Sequence, residues 1–445
     1  MPGKMLRMTE GRIWDGVPGF KLLFSKKFPR TRWSRDAADL NRAAAGTTPY
    51  NAPTPPPGSR AVTLVIAGTV LCCAHAALLA ETIPGAAGMK VTAATANDDY
   101  QRRLEAYLRA QQEFETVAGP YWTSIADKRR GRIAKRRANE TVAVEDYVLS
   151  QPPIYGGPPQ PVDPSTPPPA KKDIPVVADF VKSALDYFNF VPRRPQTEIE
   201  FKRAYAAAAA AAGISKEQAV RIYGFEASGD GTYDVQAGLE QPVPGAQAIS
   251  TALGYNQLLA TNSVSLIAEK GERFTAALQR KVDAASGETR AALEQKLIAL
   301  RRMVEFCRSV PDEWSEHEKL AATPAGIGIH ALNLDLDVGP LLQAQTLLDS
   351  ILFARANGIS RSLSAAELEM MNLTGDGNGL DMIMMPQDIR ARVPTSNFFQ
   401  RRGYERNPVA TRHNVVAALL AATDAIMDRA IRLQGAKDLA AAFPK

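Results

Sequence analysis

The sequence predicts a mainly α-helical protein whose folded domain follows a membrane segment, a helical stretch and a Pro-rich linker. From residue 175 onward, apolar residues recur at steps of three and four, which is the period of an amphipathic helix. Ser215 and Ser364 each stand three residues before Gln or Glu, the spacing of a helix-opening capping box. Alternation at period two is confined to the neighbourhood of Val235, where we expect a small hairpin.

The 445-residue chain divides into five regions by composition. They are a basic, disordered tail (1–60), an apolar segment (61–83), a charged amphipathic helical region (98–145), a Pro-rich linker (151–174) and an all-α domain (175–445). Proline-rich sequence is stiff and extended, so the linker is expected to separate the domain from what precedes it.

The apolar segment predicts a membrane anchor. Residues 61–80 carry no charge and follow Arg60, and about twenty such residues span a bilayer as a helix. The basic tail then remains in the cytoplasm, and the later residues are exported to the periplasm. Ala74-His-Ala76 also fits the cleavage site of a signal peptide, which would release a secreted protein. Pro/Gly-rich flanks argue against a buried core helix.

The basic run Lys128–Arg137 lies on the charged helical region. We interpret it first as a solvated helix face and second as a site for an anionic envelope partner, such as lipid or an acidic wall polymer. Nucleic acid is not expected as a partner, because no aromatic stacking pattern accompanies the run and the region is exported.

Glu226 is the candidate catalytic acid. Ala219, Ile222 and Tyr223 precede it by seven, four and three residues, so all four share one face of a helix that glycines then end. Because burying an ionised carboxylate is costly, such a group tends to hold a proton. A protonated carboxyl beside a cleft can act as a general acid on a glycosidic oxygen. The alternative is that Glu226 turns out to water at the helix end.

Two later segments carry groups suited to holding an N-acetylated sugar. Tyr255, Asn256 and Gln257 follow Gly254 and a short apolar helix expected over 246–253; the ring can cover an apolar sugar face, and the amides can bond its amide and hydroxyl groups. The loop that contains Asn397 and Tyr404 is also dense in amides and rings, as ligand-binding loops often are.

The order Glu226, Ser228 and then Gly254-x-x-Gln257 within a helical domain resembles lytic transglycosylases and goose-type lysozymes. The resemblance implies a lysozyme-like fold that cleaves peptidoglycan, with Glu226 as the single acid and base. Ser228, Tyr255, Asn256, Gln257, Asn397 and Tyr404 would then contact the glycan. Here one residue separates Glu226 from Ser228, where the family usually has Ser directly after Glu, and the box keeps only its first and last letters. A degenerate domain that binds glycan, or serves as an envelope scaffold, is the alternative.

Other enzyme classes are disfavoured. The sequence has neither the Gly-x-Ser-x-Gly elbow of serine hydrolases nor a phosphate-binding Gly-Lys-Ser/Thr loop. Its four histidines are far apart and have no Cys or His at metal-ligand spacing, so we expect no metal site and no cofactor.

Overall fold

Helices make up the regular secondary structure of the residues that the structure describes. This computed structural model describes the backbone of residues 85–166, 173–241 and 243–444, with side chains from residue 97 onward. Over these ranges there is no β-strand, and the predicted all-α class is confirmed. The predicted tail at 1–60 and the apolar segment at 61–83 lie outside the described residues.

The helices are labelled α1 to α16 in chain order. They are α1 (Gly85–Arg137), α2 (Val177–Phe188), α3 (Glu198–Ala211), α4 (Lys216–Glu226), α5 (Ala260–Ala284), α6 (Gly287–Cys307), α7 (Trp314–Ala321), α8 (Pro324–Ile329), α9 (Gly339–Ala356), α10 (Ala365–Thr374), α11 (Asp376–Met384), α12 (Gln387–Arg390), α13 (Arg401–Glu405), α14 (Pro408–Arg412), α15 (Val416–Ala430) and α16 (Gln434–Ala442). Three short 3₁₀ turns lie between them, at Val144–Asp146, His330–Leu334 and Thr395–Phe398.

The described chain forms two compact units. Residues 114–154 and the residues from 173 onward make up the larger unit, and residues 85–113 and 155–166 belong to the smaller one. The larger unit therefore includes the C-terminal part of α1, which the sequence assigns to a region separate from the helical domain. In the smaller unit, the rings of Tyr107 and Tyr155 meet edge to face at 6.3 Å.

The main core of the larger unit is built around helices α3, α4 and α9. Tyr205 of α3 and Tyr223 of α4 are fully buried, and both pack edge-on against the ring of Tyr255, at 5.3 and 4.7 Å. A second core cluster contains Tyr147, Phe398 and Phe399, together with Met370 and Leu373 of α10. Helix α10 therefore lies between the two clusters, and its position fixes both.

Some arginines of the basic run on α1 contact the protein interior, and others are exposed to solvent. Arg132 is completely buried; its Nε donates to Asp381 at 3.0 Å, and its guanidinium lies 4.4 Å from the centre of the Tyr147 ring. Arg129 donates to the backbone carbonyls of Asn397 and Phe399. The expectation of a fully solvated face is wrong for this part of the run, because these arginines bind the interior.

None of the helices in the described part of the chain combines the length and apolar character that a bilayer crossing requires. The segment for which a membrane anchor is predicted, at 61–83, precedes those helices and is outside the described residues.

The segment between α4 and α5 is irregular, and the helix expected over 246–253 is wrong. Two isolated antiparallel bridges lie in the region where the sequence predicts a hairpin. One joins Gln236 to Leu253, and the other joins Leu253 to Leu258. The amide of Ala237 donates to the carbonyl of Ala252 at 3.0 Å, and the amide of Ile249 donates to the carbonyl of Ala237 at 2.9 Å. These backbone hydrogen bonds join residues that are 12 to 15 positions apart, whereas a helix joins residues four apart. The apolar composition of 246–253 did not distinguish the two patterns.

His330 is a fully buried histidine at the start of a 3₁₀ turn. Its Nε2 lies 2.7 Å from the carbonyl of Thr251, which can only accept, so Nε2 carries the hydrogen. Its Nδ1 lies 2.8 Å from the hydroxyl of Ser263. Burial lowers the pKa of His330 to about 4, because the charged ring would lose its hydration.

We expect the domain to lose stability as the pH falls from 6.5 towards 4. The folded-state pKa of His330 lies below the ordinary value of 6.5, so the unfolded chain binds the proton more tightly in this range. The loss from this residue should be about 2 kcal/mol between pH 7 and 5. Urea unfolding at each pH measures it. His330→Gln should remove that part of the pH dependence, and an unchanged pH slope in the variant would contradict the assignment.

Candidate active site

Helix α4 carries the candidate acid at its last position. It opens with the predicted capping box: the amide of Gln218 donates to Ser215 Oγ at 3.1 Å, and the amide of Ser215 donates to Gln218 Oε1 at 2.9 Å. It ends at Glu226 because Ser228 and Gly229 both take positive φ, at 58° and 74°. Sequence pattern and structure therefore agree on where the acidic side chain lies along the helix.

Glu226 lies at the edge of the interior. It is 8% exposed, and its Oε1 accepts a hydrogen bond of 2.7 Å from the Nδ2 of Asn372 on α10. The same Nδ2 lies 3.4 Å from Oε1 of Glu369, which is completely buried. One half-buried amide thus bridges two carboxyl groups that are far apart in the sequence. The alternative that Glu226 turns out to water does not match this arrangement.

The loop after Glu226 is packed under the turn between α15 and α16. The amide of Gly435 donates to Asp230 Oδ1 at 2.7 Å, and the hydroxyl of Tyr223 donates to the carbonyl of Gly231 at 2.8 Å. A Cβ at Gly229 would lie 2.5 Å from the carbonyl oxygen of Ala430. These contacts fix the backbone around Ser228, a half-buried residue two positions after the candidate acid.

Tyr255, Asn256 and Gln257 lie together in the interior. Tyr255 donates its hydroxyl to the Glu198 carboxylate, and Asn256 donates its side-chain amide to the Gln343 carbonyl at 2.5 Å. Gln257 donates to the carbonyls of Val235 and Gly254 at 3.1 and 2.8 Å. Burial raises the pKa of both Tyr255 and Glu198. In this conformation the donors of all three side chains bond the chain itself.

Gly254 permits this packing, because it combines a φ of 78° with close neighbours. A Cβ there would lie 2.7 Å from Gln343 Nε2 and 3.1 Å from the carbonyl oxygen of Tyr233. The glycine that the sequence identifies as the first letter of the box is therefore required for both its backbone conformation and its lack of a side chain.

Gly254→Ala should destabilise the domain more than Gly213→Ala. Gly213 has a similar φ of 74° but open space around it, so only the cost of the left-handed conformation applies, about 1 to 2 kcal/mol. At Gly254 the clash with Gln343 adds about 1 to 3 kcal/mol. Denaturant unfolding of both variants measures the difference, and equal losses would contradict the packing argument.

Asn397 and Tyr404 belong to the second core cluster. Asn397 is completely buried and exchanges two hydrogen bonds with the backbone of Val148, at 2.9 and 2.8 Å. Tyr404 is 5% exposed, and its ring lies 5.8 Å from that of Trp122. Both side chains connect the 395–404 segment to α1 and the chain that follows it. Helix α10, which carries Asn372, packs into the same cluster.

Sequence reasoning missed Asn372 and Glu369. The signal was present: both are polar and stand three residues apart within α10, a helix that opens with a capping box at Ser364. Polar residues at this spacing share a helical face. Their proximity to Glu226 could not be inferred, because it depends on the packing of α10 against α4.

The arrangement provides a dry carboxyl group with an oriented amide donor. A carboxyl group of this kind can donate a proton in one step and accept one in the next. Within the described residues, no group of three or more His, Cys, Asp and Glu side chains is placed to hold a metal ion.

Comparisons with known proteins add no family or activity to this description. No protein-family model matches the chain, and neither a curated protein nor a solved structure matches it.

Proposed function

We propose that the protein cleaves the glycan strands of peptidoglycan, with Glu226 as the general acid and base. The observation that supports this most is the position of Glu226, an 8%-exposed residue at the end of α4 whose carboxyl group accepts a hydrogen bond from Asn372. A carboxyl kept from bulk water next to an oriented donor suits proton transfer to a glycosidic oxygen.

The resemblance to lytic transglycosylases supplies the proposed sequence of steps. Glu226 gives its proton to the oxygen that links N-acetylmuramic acid to N-acetylglucosamine, and the bond from that oxygen to the muramic anomeric carbon breaks. The ionised carboxylate then takes the proton of the muramic 6-hydroxyl, whose oxygen bonds the same carbon and closes an anhydro ring. The carboxyl ends the cycle protonated, so one acid serves both steps. In a muramidase, water would replace the hydroxyl.

This function requires the domain to reach the cell wall. We propose a periplasmic location, with residues 61–83 as the inner-membrane anchor, or a secreted protein if that segment is cleaved. Within the basic run of α1, Arg130 and Arg137 remain exposed and could meet an anionic envelope partner.

A non-catalytic envelope protein that binds glycan or acts as a scaffold is the second candidate. It is favoured by the placement of Tyr255, Asn256 and Asn397, which are buried and bond backbone or side-chain groups of the chain itself. Residues used in this way maintain the fold, and a ligand would meet other groups.

Two assays on the purified full-length chain separate the candidates. Release of dye-labelled fragments from sacculi measures cleavage, and co-sedimentation with intact sacculi measures binding. The enzyme proposal predicts dye release that depends on Glu226. Co-sedimentation without dye release would support the non-catalytic candidate, and the absence of both would contradict each of them.

A further inference from the structure

A second residue is built into the carboxyl site: Asn372, on α10. Its Nδ2 donates to Glu226 Oε1 at 2.7 Å and lies 3.4 Å from Glu369 Oε1. Both neighbours are acceptors when ionised, so the amide must present nitrogen and not oxygen to them. Glu369 therefore sets which end of the Asn372 amide points at Glu226.

The helix that carries this amide is held rigidly. Met370 and Leu373, on either side of Asn372 along the chain, are buried in the second core cluster. Thr374 at the helix end donates its hydroxyl to the carbonyl of Met370 at 2.7 Å. Because α10 cannot rotate without disturbing that cluster, the amide has a fixed direction relative to α4.

We propose that Asn372, oriented by Glu369, is the positioning residue that fixes the carboxyl plane of Glu226. This inference rests on the proposed function of Glu226 for its catalytic meaning. Because Oε1 accepts from the amide, we expect the proton of the neutral carboxyl group on Oε2.

Three charged residues on the helices packed against α10 bond other groups. Arg221 of α4 pairs with Asp424 and Asp428 of α15. Asp376 of α11 accepts from Ser350 at 2.7 Å, and Asp381 of the same helix pairs with Arg132. The Asn372 amide joins α10 directly to Glu226.

Three variants of the full-length chain test the proposal: Asn372→Leu, Glu369→Gln and Asn378→Leu. Asn378 is the matched control, since it is also half-buried but donates to the carbonyl of Thr374 at 3.0 Å. The infrared band of the Glu226 carboxyl group is identified as the one that disappears in Glu226→Gln. Its titration gives the pH at which Glu226 is half protonated, and this measurement does not require activity. Cleavage of sacculi gives kcat and KM for each variant as a separate measurement.

We expect Asn372→Leu to raise the midpoint by about one pH unit, because the ionised form loses its amide donor. Glu369→Gln should also shift it, because the acceptor that orients the Asn372 amide is changed. Asn378→Leu should leave it unchanged. In the cleavage assay, Asn372→Leu should lower kcat about tenfold with little change in KM.

Failure of this inference differs from failure of the proposed function. If Asn372→Leu leaves the infrared midpoint of Glu226 in place, the positioning role is overturned, whether or not the protein cleaves glycan. If the midpoint moves as expected but the unmodified chain releases no fragments from sacculi, the positioning role stands and the cleavage proposal fails.

Discussion

Replacing Glu226 by Gln is expected to reduce the cleavage of sacculi by about 100- to 10,000-fold, the usual contribution of a general acid. The substitution keeps the volume of the side chain, and its amide oxygen can still accept the hydrogen bond from Asn372. What it removes is the proton that the carboxyl group donates. Co-sedimentation with sacculi should be retained, because the loss falls on the chemical step and not on binding.

Glu217→Gln is the matched control for that variant. Glu217 lies in the first turn of the same helix, and its side chain is 69% exposed, so it should retain full activity. The measurement is the initial rate of dye release at equal protein concentration. A Glu226→Gln protein that keeps more than about a tenth of the rate, against the loss of 100-fold or more expected here, would rule out Glu226 as the acid.

Replacing Arg132 by Met should have the largest effect on stability, a loss of about 3 to 5 kcal/mol. Arg132 is fully buried and pairs with Asp381, which is itself only 5% exposed. Its other nitrogens donate to the carbonyls of Asp146 and Asn397 at 2.9 and 3.2 Å. Without the guanidinium, two backbone carbonyls lose a donor, and the buried Asp381 carboxylate keeps only Arg136 and the Tyr147 hydroxyl as partners. That penalty exceeds the gain from an apolar side chain.

Arg130→Met provides the comparison on the same helix. Arg130 pairs with Asp127 in solvent, and both side chains are more than half exposed, at 73% and 54%. An exposed pair of this kind contributes about 0 to 1 kcal/mol. Urea unfolding of the two variants should therefore give very different midpoints. Similar midpoints would mean that Arg132 does not anchor α1 in the interior.

Local sequence signals determined the parts of the fold that depend on neighbouring residues. The capping boxes at Ser215 and Ser364 form as predicted, and the helix that starts at Lys216 ends at Glu226. The dry position of Glu226 followed from its place on the apolar stripe of that helix. These features need only helical periodicity and backbone hydrogen bonding, which act over a few residues.

Long-range packing decided what the sequence could not show. The link from Asn372 to Glu226 joins helices that are distant in the chain. Arg132 looks like any other residue of a basic run, and only the position of Asp381 explains its burial. The same limit applies to Tyr255 and Asn256. Their polar groups are suited to binding a sugar, and the sequence does not show that they bond Glu198 and Gln343 instead.

Mass spectrometry of the fragments that the full-length chain releases from sacculi tests the role of Glu226 most directly. A carboxyl group that first donates a proton and then recovers one from the sugar leaves a muramic residue closed into an anhydro ring. We predict that such ends appear with the unmodified chain and disappear with Glu226→Gln. Fragments that are absent with both proteins, or equally abundant with both, would contradict the proposed chemistry.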